Sequence, residues 1–149
     1  MAGETGNTLQ SGFLNLVLCA KSLSNIATVV ASTTIWVALH TADPLAGGSQ
    51  NTSEAAFPNY ARIATDRSTA TLTGGWNVTG NSPASASPIT NIAFPTANAA
   101  TAEVETFFSV GLSSAGAGTL LWAGPLTPNV TMANAVTVTL TTATAITQA

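Results

Sequence analysis

Charge is the scarcest commodity in this sequence. Asp, Glu, Lys and Arg together make up 6% of the residues, against about 25% in an ordinary soluble domain. The surface must therefore be built largely from Thr, Ser, Asn, Ala and Gly. So few charges supply little repulsion to keep copies apart, so much of the surface is expected to be covered by other subunits. Only three residues are basic, Lys21, Arg62 and Arg67. Phosphate-dominated binding needs several clustered cations, so nucleic acid is excluded as a partner. An anionic membrane surface is excluded on the same ground.

Cysteine and histidine are nearly missing as well. One cysteine, Cys19, allows no intrachain disulfide. It lies in the apolar run Phe13–Ala20 and reads as a buried thiol acting as a small hydrophobe. One histidine and one cysteine cannot assemble a zinc site, which takes three or four ligands. No cofactor is expected. The apolar run is too short to span a bilayer. It also lacks the basic n-region of a signal peptide, because Glu4 precedes it. No export signal is read, so a role outside the cell implies release with particles at lysis.

What is present is apolar and β-rich. Hydrophobic residues make up 46% and mean hydropathy is +0.36, which excludes a disordered polar chain. The 149 residues fit a single domain with a real core. It would comprise an N-terminal helical segment, residues 1–25, and a β-domain, residues 33–142.

In the helical segment Leu9, Phe13, Leu16, Ala20 and Leu23 fall on one face, and Asn7 or Thr8 can cap its start. Phe13, Leu16 and Leu23 are the expected anchors, because an isolated helix of this length is marginal and packing must stabilise it. From Thr33 the period changes to two: Ile35, Val37 and Leu39 alternate with Trp36, Ala38 and His40.

A long loop opens at Asp43-Pro44 and runs to about Pro58, and long ordered loops often carry contacts. Strands are expected at Tyr60–Ala64, Thr69–Thr73, Trp76–Thr79, Ile89–Phe94, Glu103–Leu112, Thr119–Ala123 and Val136–Leu140. Gly74-Gly75 is a hairpin signal, and Asn81–Pro88 reads as a loop. The expected fold is mainly β, an antiparallel sandwich or partly closed barrel with one N-terminal helix.

Catalytic constellations are weak. His40, at a strand end, suits a structural bond from a ring nitrogen to a loop carbonyl. Glu103 and Glu105 share a side of a strand, where paired carboxylates can do acid–base work, but no substrate machinery accompanies them. No enzyme is expected. Arg62 needs a partner if it is buried, since an unpaired buried charge is costly, and Asp43 is the candidate.

Trp36-Val-Ala-Leu-His-Thr-Ala-Asp-Pro44, Tyr60-Ala-Arg62, Gly74-Gly-Trp76 and Asn91-Ile-Ala-Phe-Pro95 resemble small virion proteins of tailed bacteriophages, known as phage tail fibre proteins and head-decoration-like proteins. The resemblance spans nearly the whole chain, and the His-Thr-Ala-Asp-Pro turn followed by Tyr-Ala-Arg is its most specific part. It implies a structural virion protein, with phage capsid or tail proteins as partners. The leading expectation is capsid decoration that stabilises the head lattice. The alternative is a tail or fibre component, receptor- or carbohydrate-binding through Trp36, Trp76 or Trp122. A homo-oligomer is expected, with a trimer favoured, because closed rotational symmetry is the usual state of such assemblies.

Overall fold

The computed structural model describes residues 7–22, 34–67, 75–80 and 83–148; side chains are described from Gln10 to Thr147 within those ranges. The fold is mainly β with one helix, and its sheets are antiparallel. No sheet closes on itself among the described residues, which fits the sandwich expectation better than the barrel. The chain forms two compact units. The first holds residues 1–34, 66–91 and 141–149, and the second holds 35–65 and 92–140.

The first unit packs helix α1 (Asn7–Leu18) on strands β3 (Trp76–Thr79) and β4 (Ala84–Pro88). β4 is the middle strand of a three-stranded sheet, with β3 on one side and β9 (Ile146–Gln148) on the other. The sequence reading missed both β4 and β9, and took β4 for a loop. Its Ala and Ser residues carry low β-propensity. They nevertheless alternate correctly: Ala84, Ala86 and Pro88 are buried, while Ser85 and Ser87 are half-buried. Small side chains there let the helix approach closely.

The helix face also needs correction. Gln10, Leu14 and Leu18, spaced four apart, are buried. Phe13 is 42% exposed, Leu16 is half-buried, and Leu23 lies outside the described residues. Phe13 and Leu16 are therefore not the anchors within this unit. The run Phe-Leu-Asn-Leu-Val-Leu is apolar almost all round, so two overlapping stripes fit the helical period and only packing chooses between them.

The helix stops on Ala20 at φ 50°, which turns the Lys21 N–H back onto the Asn15 carbonyl. Two of its last carbonyls are taken by Arg67, whose Nε donates to Val17 at 2.5 Å and whose Nη2 donates to Leu16 at 2.6 Å. A cation is favoured there because the C-terminal end of a helix carries partial negative charge. Cys19 is buried as expected, and its thiol donates to the Trp76 carbonyl at 3.1 Å. Burial pushes the thiol pKa up, partly offset by Lys21.

The second unit is organised around a four-stranded sheet in the order β2 (Ile63–Asp66), β1 (Thr34–His40), β6 (Val104–Gly111), β7 (Leu120–Thr131). A two-stranded ladder, β5 (Ile92–Ala93) with β8 (Thr139–Leu140), accompanies it. β2 begins later than expected because Tyr60 and Arg62 belong to the preceding loop. β7 continues through Pro125 and Pro128, where the sequence reading ended it. It can do so because it is an edge strand, and its missing N–H groups break no central ladder. One face of the β1–β6 pair carries Ile35, Val37, Leu39, Phe108 and Val110, all buried, and forms the core.

Candidate functional site

The opposite face of the same two strands carries the buried polar residues His40 and Ser109 beside half-buried Trp36 and Phe107. Register pairs Trp36 with Gly111, Ala38 with Ser109 and His40 with Phe107, so these residues share one side. The loop after β1 folds back over them. His40 bridges to Glu54, and the Ala55 N–H donates to the Leu39 carbonyl. A short 3-10 helix at Pro44–Ala46 starts the loop. Its cap is Asp43, whose Oδ1 accepts from the Leu45 N–H at 2.9 Å.

His40 is fully buried. Its Nδ1 lies 2.9 Å from the Thr52 carbonyl, and its Nε2 lies 2.7 Å from Ser109 Oγ. A carbonyl can only accept, so Nδ1 carries the proton and Nε2 accepts the Ser109 hydroxyl. Burial lowers the His40 pKa, against the Thr52 bond and Glu54, which raise it. The ring is therefore a neutral bracket between strand and loop, the structural role expected of it.

Gln50 is a second bracket. Its Nε2 donates to the Trp36 carbonyl, and its Oε1 accepts from the Ser113 N–H. The side chain lies against Gly111 and Gly118, where a Cβ would come within 2.1 Å and 2.5 Å of it. Only glycine leaves room for the amide at these two positions.

Arg62 completes the arrangement, but its carboxylate partner is Glu54 rather than Asp43. Nε donates to Glu54 Oε1 at 2.6 Å and Nη2 to Oε2 at 2.7 Å, a bidentate pair. Nη1 donates to the Ser113 carbonyl and Nη2 also to that of Gly116. Tyr60 Oη donates to Glu54 Oε1 and accepts from the Leu39 N–H. Arg62 is 6% exposed, so it is not a solvated cation. The hydrogen bonds that Arg62 donates to Glu54 raise its pKa further, and it remains charged. Burial likewise holds the Tyr60 phenol well above its ordinary range. Asp43 failed as the predicted partner because it is engaged in its own turn, whereas Glu54 lies opposite the end of β1. No local spacing announces a pair eight residues apart across a loop.

Arg62 and Gln50 thus fasten the β6–β7 loop, residues 113–118, to the loop after β1. Between these loops lies an open cleft of about 440 Å³. Its walls are Trp36, Glu54, Tyr60, Arg62 and the loop residues Ser114–Gly116, with Ala55 and Ala61. Trp36 is half-buried on the cleft side of β1. Trp76 is 1% exposed and belongs to the core of the first unit, and Trp122 is half-buried on β7.

Of the residues that carry the resemblance, His40, Tyr60 and Arg62 hold the loop after β1, and Asp43 caps its first turn. The family model described as Podophage GP4 fiber I protein gp80 matches residues 6–148. The chain belongs to this family. Its match covers both compact units. A search of curated proteins finds no match. For a member of the fiber I family, the motif is read most simply as a device that fixes loops.

At the other end of β6 stand Glu103 and Glu105. Glu103 Oε1 accepts from the Ala56 N–H at 2.7 Å. Glu105 is fully buried, and neither of its oxygens has a hydrogen-bond partner. Burial and the neighbouring Glu103 push its pKa up to about 8. A carboxyl in that state is neutral at pH 7 and avoids the cost of a bare buried charge. Among the described residues no three His, Cys, Asp or Glu side chains gather as a metal site. No helix there is long and apolar enough to cross a membrane.

Proposed function

We propose that this chain is a non-catalytic structural subunit of a bacteriophage tail fibre. The family match over residues 6–148 carries the reading, and it favours the fibre over the capsid-decoration role. The geometry supports it. His40, Glu54 and Arg62, the groups that could do chemistry, are engaged in holding loops. Its partners are other tail proteins and further copies of itself in a closed homo-oligomer, a trimer being favoured.

The test is location and copy number. Gold-labelled antibodies against the chain should decorate the tail appendages of intact particles. Quantitative mass spectrometry should count it in proportion to those appendages. Label spread over the capsid, at one copy per lattice position, would overturn the fibre reading and restore decoration. Sedimentation of the purified protein as a monomer, together with a single copy per appendage, would remove the homo-oligomer.

A further inference from the structure

We propose that the surface around Leu45 and Leu112, at the start of β7, is where copies of this chain meet around a rotation axis. The inference names the contact surface of the homo-oligomer proposed above and rests on that part of the reading. Among the described residues four large hydrophobic side chains are exposed: Phe13, Leu45, Val104 and Leu112. Leu45 at 58% and Leu112 at 52% are the most exposed of the four, and the fold brings these two to one place. The Leu112 N–H donates to the Thr119 carbonyl, Ser49 bridges to Thr119, and the 3-10 helix that carries Leu45 lies against β7. Leu120 and Leu121, the first residues of β7, are half-buried there. Single exposed leucines are ordinary, but leucines gathered in one place mark an interaction surface.

Charge selects the partner. No Asp, Glu, Lys, Arg or His follows Glu105 in the sequence, so β7 and the loop before it are uncharged. Arg62, which reaches the Ser113 carbonyl beside Leu112, is neutralised by Glu54. Asp43, two residues before Leu45, is held by the Leu45 N–H. Near a rotation axis a residue faces its own equivalents in the other copies, so a charge there would meet a like charge. An uncharged apolar patch is compatible with itself. It also offers nothing that would steer or hold a charged partner.

The strand beside the patch agrees. β7 ends the four-stranded sheet, with no strand on its outer side among the described residues. Such an edge presents backbone groups that another chain can pair. Pro125 and the register shift between Pro125 and Val130 interrupt it. The run left between Leu121 and Gly124 suits a contact of fixed size rather than a ladder that propagates.

The experiment measures the mass of the full chain by sedimentation over a range of concentrations. The wild type should form a closed oligomer. Leu45→Lys and Leu112→Lys should each raise its dissociation constant about tenfold or more, because an unpaired charge is costly to bury. The double variant should run as a monomer with an unchanged far-UV circular dichroism spectrum, since both side chains are exposed in the single chain. Val104→Lys places the same charge on an exposed residue at the other end of β6 and should leave assembly intact. Under mild oxidation Leu112→Cys should cross-link copies, whereas the wild type, whose one cysteine is buried, should not.

A wild type that stays monomeric at high concentration, an oligomer that survives the double variant, or equal dissociation by Val104→Lys would each overturn the proposal. Assembly through this surface by a protein whose antibody label sits on the capsid would leave the surface standing and remove the fibre reading. Tail labelling of a chain that assembles through other residues would do the reverse.

Discussion

The two ends of strand β6 treat buried polarity in opposite ways. At the Gly111 end, the Arg62 guanidinium meets a bidentate carboxylate and two loop carbonyls, and Gln50 has donor and acceptor both engaged. At the other end, the Glu105 carboxyl is just as deeply buried and its oxygens are unpartnered. The lesson is that burial alone does not decide charge. A cation stays ionised where geometry supplies partners, and a carboxyl gives up its charge where it does not.

The comparison can be broken most forcefully at Arg62. Arg62→Ala strands Glu54 as an uncompensated, largely buried carboxylate and releases the 113–118 loop. A loss of about 3–5 kcal/mol is expected in chemical denaturation, the usual cost of removing one partner of a buried pair. A loss under about 1 kcal/mol would mean that the pair behaves as a surface contact. Asp43→Ala, which removes only a turn cap, should cost much less in the same assay. Gly111→Ala probes that end by packing instead. The added methyl would meet Gln50 at 2.1 Å, and about 1–3 kcal/mol should be lost to overpacking. Gln50→Ala in the same chain should restore part of it.

The Glu105 end is tested by pH. Its folded pKa, about 8, lies above the ordinary value of 4.5. The unfolded chain therefore binds fewer protons, and stability falls as pH rises from 4.5 toward 8. His40 acts in the opposite sense, because its lowered folded pKa makes stability fall as pH drops below about 6.5. Between pH 6.5 and 8 the Glu105 effect stands clear of that change. The melting temperature should fall across this interval, by at most about 1.4 kcal/mol of stability per pH unit. Glu105→Gln should flatten the slope, and an unchanged slope in that variant would assign the titration elsewhere.

The smallest effect is expected at the helix. Arg67→Ala removes a cation from two helix-terminal carbonyls, which is worth about 0.3–1 kcal/mol at an exposed end and up to about 2 when partly buried. The loss should stay below that of Arg62→Ala, measured in the same assay.

Much of this protein was legible before any fold was seen. The alternation from Ile35 to His40 gave β1, because a period of two is written directly by which side chains face a core, and Glu103–Leu112, paired across a loop of small residues with Thr119–Ala123, gave β6. The poverty of charge and of metal ligands set the expectation of a structural role. The motif around His40, Asp43, Tyr60 and Arg62 pointed to the family. What the sequence left open was every choice between near-equal options. Helix α1 offers two apolar stripes, and packing on β3 and β4 buried Leu14 and Leu18 rather than Phe13. Ala84–Pro88 has weak strand propensity, and only the strands on both sides make it one.

Arg62 had several carboxylates within reach along the chain. The fold of the loop over β1 selected Glu54, because a salt bridge depends on distance and direction in space, which sequence separation does not encode. For the same reason Gln50, unremarkable in the sequence, became the amide that two glycines make room for. Patterns fixed by local period are determined by the chain alone. Partnerships between distant polar groups are decided only when tertiary structure removes water and leaves each group one place to bond.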